Sequence, residues 1–92
     1  MSAWRILKES DAYASQYAKL GDIEKLDEAL TGITWGIAKA PHEFPIVSGC
    51  IRLAKTRPMR KNATTRVVFR IWFIEIDSKE IELVAIHAEE IT

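Results

Sequence analysis

Arg66, Arg70 and His87 are the residues whose types and positions suit phosphate chemistry. Metal-independent cleavage of RNA needs a base near the 2′-OH, cations around the phosphate and an acid at the leaving oxygen. Arginine fits the cation role because its planar fork binds phosphate oxygens in pairs. Arg66 and Arg70 fall on one face of a single strand pattern, and with Arg52 on a neighbouring strand they are expected to surround one phosphate. The plainer reading of Arg66 and Arg70 is surface ion pairing with Glu75, Glu82 or the glutamates near the end of the sequence. His87 can serve as acid or base, since an unperturbed imidazole titrates near pH ~6.5. Its plainer reading is a strand-end histidine beside an arginine. Trp72, next to Arg70, either stacks a base or packs against a partner. His42 reads as a solvated loop residue. Cys50, with no evident partner histidine, reads as a small buried residue.

These residues sit in a segregated charge pattern. The 92 residues carry 13 basic and 13 acidic side chains, a formal net charge of zero. Arg52, Lys55, Arg57, Arg60, Lys61, Arg66 and Arg70 form a block of seven cations with no acid between them, set against a net of −7 elsewhere. Such a block makes a local positive field within a Debye length even in a neutral chain, so neutrality does not exclude a nucleic-acid substrate. A solvated basic loop is the alternative. No cofactor is expected, because Gly-rich phosphate loops and paired catalytic carboxylates at a recognisable spacing are absent. One cysteine and two distant histidines give neither a disulfide scaffold nor a zinc pattern, so no metal is expected. No apolar run approaches the ~20 residues of a membrane helix, and Met1 to Arg5 lacks signal-peptide order. The expectation is a cytoplasmic, single-domain protein with no membrane partner.

The elements that must position these residues follow from periodicity. Trp4 to Lys8 reads as a short first strand. Ser10 suits the N-cap of a helix starting at Asp11, with Tyr13, Tyr17 and Leu20 on one face and Gly21 as its end. Asp22 suits the cap of a second helix. Ile23, Leu26, Leu30, Ile33 and Ile37 form its stripe, and Pro41 stops it at Ala40. Trp35 points off that stripe and reads as a contact residue or part of a second packed face. Gly32 and Gly36, four apart, either admit a close neighbour or are tolerated. Residues 41–49 read as a loop, Ile51 to Lys55 as a strand, and Thr56 to Thr64 as a basic loop.

Thr65 to Ile76 is the clearest strand. Val67, Phe69, Ile71 and Phe73 line one face; Arg66, Val68, Arg70, Trp72 and Ile74 line the other. Ile81 to His87 is expected to return beside it with Val84 opposite Phe73, Ile86 opposite Ile71, Ala85 opposite Trp72 and His87 opposite Arg70. The predicted fold is α+β, ordered β-α-α-β-β-β, with two helices packed on one face of a small, mainly antiparallel sheet. The uncovered face would carry Arg66, Arg70, Trp72, Ile74, Leu83 and His87, and a half-apolar, half-basic open face suggests a partner.

This order resembles the RelE/ParE superfamily, the small toxins of bacterial toxin–antitoxin pairs. Two segments carry the resemblance. Trp35-Gly36-Ile37-Ala38-Lys39-Ala40-Pro41 with Phe44-Pro45-Ile46-Val47-Ser48-Gly49 is similar to the family's helix, proline break and closing glycine. Thr65-Arg66-Val67-Val68-Phe69-Arg70-Ile71 with Glu82-Leu83-Val84-Ala85-Ile86-His87 is similar to its arginine-bearing strand and final apolar strand. The resemblance implies a phosphate-polarising role for Arg66 and places Arg52, Lys55 and Arg57 where such members carry additional basic residues. Arg70, on the same strand face as Arg66, is a further expected catalytic residue, and Arg60 and Lys61 of the basic block are further expected substrate-binding residues. His87 stands where some members carry a histidine or arginine. The chain departs from the pattern at Thr65 and Phe69, where tyrosines are common, and in Ala88-Glu89-Glu90-Ile91-Thr92, which has no tyrosine or arginine. The implied activity is ribosome-dependent mRNA cleavage, with the ribosome, mRNA and a cognate antitoxin as partners. The alternatives are a gyrase-inhibitor-like or degenerate toxin acting through protein contacts, and a homodimer. Trp72, Ile74, Leu83 and Trp35 are the expected partner-binding residues.

Overall fold

A computed structural model describes residues 4–20 and 26–91. The elements are β1 (Ile6–Glu9), α1 (Asp11–Ala18), α2 (Leu26–Lys39), a 3-10 turn (Pro41–Glu43), β2 (Ile46–Ser48), β3 (Ile51–Lys55), β4 (Met59–Arg60), β5 (Arg66–Glu75) and β6 (Glu80–Ile91). The class is α+β, as the periodicities predict. Two short strands, β2 and β4, stand where loops are expected. Both borrow a ladder: β2 pairs with β3, and β4 continues β3's side of β5 past the break at Pro58.

The sheet runs β1-β6-β5-β3-β2, with β4 also on β5. Among the described residues, only β1 and β6 pair in parallel; the other pairings are antiparallel. Val67, Phe69, Ile71 and Phe73 face the helices and are essentially buried, together with Ala54, Ile86, Tyr13, Leu30 and Ile37. Among the described residues no helix covers the opposite face; the end of α1 borders it, where Gln16 and Lys19 line a groove with Trp72 and His87.

α1 begins where the sequence places it. The Ser10 hydroxyl accepts a hydrogen bond from the Tyr13 amide at 3.0 Å, so a donor at the helix start is satisfied. The same residue ties the helix to the sheet: its hydroxyl donates to the Val84 carbonyl at 2.8 Å and its amide donates to the Leu83 carbonyl at 3.0 Å. Tyr13 lies in the core beside Tyr17, ring centroids 6.3 Å apart. Burial, with the Glu9 carboxylate nearby, pushes the Tyr13 hydroxyl up to about 12. A hydrogen bond to Asp27 at 2.9 Å raises Tyr17 as well. The expected roles of Gly21, Asp22 and Ile23 fall outside the described residues.

A methyl group at Gly36 would meet the Phe44 ring at 3.6 Å, an ordinary contact, and one at Gly32 would meet nothing within 4 Å. Neither glycine therefore holds a close approach. Gly32→Ala should stabilise the protein by about 0.5–1 kcal/mol, because it removes backbone freedom from the unfolded chain at no steric cost. Urea unfolding checks this, and an unchanged or lower midpoint would contradict it.

The return strand departs from the expected register at one point. His87 does face Arg70, Ile86 faces Ile71 and Ala85 faces Trp72, but Phe73 pairs with Leu83. Val84 is the extra residue of a β-bulge. The physical reason lies in side-chain polarity. Unbroken alternation would place Glu82 on the core face and Ile81 and Leu83 on the open face. The bulge reverses both assignments, and Ile81 and Leu83 end 0% and 3% exposed.

Candidate functional site

The open face of β5 presents Arg66, Val68, Arg70, Trp72 and Ile74, as the alternation requires. Its neighbours supply the rest by register. Lys55 on β3 stands opposite Arg70, and Arg60 on β4 stands opposite Arg66. Leu53 faces Trp72, Ile51 faces Ile74, and β6 contributes Ala85, His87 and Glu89. The face is therefore divided lengthwise. One end is apolar, built of Ile51, Leu53, Trp72 and Ile74, all partly buried. The other end holds four cations and His87.

Two like-charged pairs stand directly across strands, Lys55 with Arg70 and Arg60 with Arg66. Such pairs repel and destabilise a sheet unless counter-charge reaches them. Arg70 receives it from Glu89, with which it forms an ion pair. Lys55, Arg60 and Arg66 are exposed and have no ion-pair partner among the described residues. An anion with charges spaced along the strand fits this arrangement. Arg66 and Arg70 are separated by four residues, about 13 Å of strand rise, so the two pairs suit two phosphates of one extended chain.

That geometry corrects the expectation of a single phosphate enclosed by three arginines. Arg66 and Arg70 are too far apart for it, and Arg52 lies on the opposite face of the sheet. Arg52 pairs in register with Phe73, a core-facing residue, and its guanidinium is tied to the Phe44 carbonyl at 2.6 Å and the Glu75 carboxylate at 3.1 Å. It is a structural clamp on the segment before β2. Strand parity alone separates residues 52 and 66 only once the β3–β5 register is known.

The remaining residues are placed as follows. Lys61 forms an ion pair with Glu90 rather than standing free. Arg57 is exposed in the break between β3 and β4, beside the groove formed with Glu28 and Gly32 of α2. His87 is exposed on the open face next to Arg70. Leu83 is a core residue and cannot bind a partner as expected; the bulge at Val84 is the cause. Trp72 and Ile74 remain on the open face. Trp35, 62% exposed, lies across the sheet on α2, its ring edge-on to Trp4 at 5.4 Å. It shares no surface with Trp72. Cys50 is exposed in the β2–β3 turn, not buried, because Gly49 takes a φ of 54° there and turns the chain outward.

The pairing that the sequence does not announce is Arg60 opposite Arg66; Glu89 on Arg70 realises one of the ion pairs expected as the plainer reading. The signal for Arg60 was the basic residue just before the Asn62 turn. The Asn62 side chain accepts hydrogen bonds from the Thr64 and Thr65 amides and so closes a hairpin. Among the described residues, no group of three or more His, Cys, Asp or Glu side chains is gathered to hold a metal ion. No helix among them is long and apolar enough to cross a membrane. No family model, curated protein or solved structure matches this chain.

Proposed function

We propose that this chain is the toxin component of a toxin–antitoxin pair of RelE/ParE type, and that its open sheet face binds and cleaves RNA without a metal. One observation carries the reading: two like-charged cross-strand pairs, Lys55 with Arg70 and Arg60 with Arg66, share an uncovered face with His87 and Trp72. The order of elements, a strand and two helices ahead of the remaining strands, is in keeping with the resemblance. In the proposed reaction the RNA 2′-oxygen attacks the adjacent phosphorus and the 5′-oxygen leaves. Arg70, opposite His87, neutralises charge as it builds on the scissile phosphate, and Arg66 holds a second phosphate of the same chain. His87 exchanges the proton, and Trp72 takes a base against its ring. The antitoxin would cover the apolar end of the same face, Ile51, Leu53, Trp72 and Ile74.

The test is induced expression with a growth readout, wild type beside Arg66→Ala, followed by mapping of mRNA 5′ ends. The expected result is growth arrest and new 5′ ends for wild type, and loss of both for a folded Arg66→Ala protein. Full toxicity from that variant would refute the mechanism.

A second reading is favoured by the Arg70–Glu89 ion pair, which occupies one of the two arginines meant for phosphate. In it the fold acts only through protein contacts, as a gyrase-inhibitor-like or degenerate toxin. Purified protein that leaves ribosome-bound mRNA intact, yet retains a protein partner, is its expected behaviour.

A further inference from the structure

The seven cations of the basic block are not equally free. Arg52 is held by Glu75 and Lys61 by Glu90, both away from the open face. On the open face, the pair Lys55/Arg70 has a carboxylate, and the pair Arg60/Arg66 has none among the described residues. The carboxylate comes from the neighbouring strand. Glu89 pairs in register with Val68, one residue-pair along from the opposition of Arg70 and His87 that precedes it on the same face, and so reaches Arg70 diagonally. Glu89 offers Arg70 the planar pair of oxygens that a phosphate would offer.

We propose that Glu89 is an internal competitor for the anion site: it holds Arg70 until a polyanion, first engaged at Arg60 and Arg66, displaces it. The proposal rests on the reading of the open face as a polyanion site, and it concerns how that site is regulated. Its physical content is an asymmetry. A lone anion at Arg60 and Arg66 leaves the Glu89 pair intact. A ligand carrying a second charge about 13 Å further along the strand exchanges one anion for another at Arg70. Glu89 therefore opposes only the ligand that reaches Arg70, the extended chain, and leaves a single phosphate at Arg60 and Arg66 unaffected. Removing the competitor should raise the preference for extended, multiply charged chains over single phosphates.

The experiment measures binding of a fluorescent oligouridylate and of inorganic phosphate at fixed moderate salt. It compares wild type with Glu89→Gln, with Glu43→Gln, and with Arg70→Ala made alone and on Glu89→Gln. Glu43 is exposed in the 3-10 turn, and its replacement changes net charge by the same amount. Glu89→Gln should tighten oligouridylate binding about 3- to 5-fold, the scale of one exposed ion pair. Glu43→Gln should change it less than about 2-fold, since salt screens distant charges. Arg70→Ala should erase the gain. Phosphate binding should change less than oligouridylate binding does, because a single phosphate needs only Arg60 and Arg66. If Glu89→Gln is no tighter than Glu43→Gln, or if its gain survives Arg70→Ala, the competitor role is wrong. If the double variant Arg60→Ala/Arg66→Ala binds oligouridylate as well as wild type, the polyanion site itself is wrong.

Discussion

Leu83→Asp should leave a chain that no longer folds cooperatively. The bulge at Val84 sets Leu83 opposite Phe73 on the core face, where it is 3% exposed. Withdrawing a large aliphatic side chain from the core costs roughly 1.5–3 kcal/mol. Burying a carboxylate without a partner costs several kcal/mol more or forces it to take up a proton. The sum reaches into the roughly 5–15 kcal/mol that typically holds a domain together. Circular dichroism and urea unfolding check this, with Val84→Ala as the control on the same strand. The control should cost only about 1 kcal/mol. A Leu83→Asp variant with a wild-type midpoint would show that Leu83 does not hold the core face.

Phe73→Ala should lower stability by about 3–5 kcal/mol, the largest effect expected of a single core truncation. Phe73 is fully buried in the centre of the sheet and meets the Phe44 ring edge-on at 5.6 Å. Such an aromatic pair adds about 0.5–1.5 kcal/mol beyond the area it removes from water. The loss also spreads. Phe44 is anchored from one side by Phe73 and from the other by the Arg52 guanidinium on its carbonyl. With Phe73 gone, the segment leading into β2 is held mainly by Arg52. A fall in urea midpoint with an unchanged slope is the expected signature. A change below about 1 kcal/mol would mean that the cavity closes by repacking.

What was legible in the sequence was whatever depended on local pattern. Ser10 before Asp11, the stripe at Leu26, Leu30, Ile33 and Ile37, the break at Pro41 and the alternation from Val67 to Phe73 each state their structure within a few residues. The half-apolar, half-basic open face followed from that alternation. Illegible was whatever depended on pairing across the sheet. The bulge at Val84 leaves no glycine or proline as a mark, and it surfaces only as the polarity conflict at Glu82. Missing it sent Leu83 to the wrong face. Grouping Arg52 with Arg66 follows from proximity between strands alone, and only the β3–β5 register sets them on opposite faces. Arg60 lay inside a segment read as loop, since two residues give too little pattern to announce a strand. The acid that pairs with Arg66 or Arg70 is open among Glu75, Glu82, Glu89 and Glu90 in the sequence, and the structure pairs Arg70 with Glu89 and Lys61 with Glu90.

The parallel pairing of β1 with β6 carries a consequence for how the molecule is made. Ile6 aligns with Glu80 and Glu9 with Leu83, so the ladder partner of the first strand lies more than 70 residues further along the chain. Closing so long a loop is entropically slow, and high contact order slows folding. The β5–β6 hairpin, by contrast, needs only the turn at Asp77, whose side chain accepts from the Lys79 and Glu80 amides. The expected order is hairpin first and β1 last. On the ribosome, the residues up to Lys55 would emerge with neither β5 nor β6 available to complete the sheet. The apolar faces of β1 and of both helices must therefore wait, uncovered, until translation of this segment is all but finished. Maturation of the fold is thus timed by synthesis of its final strand.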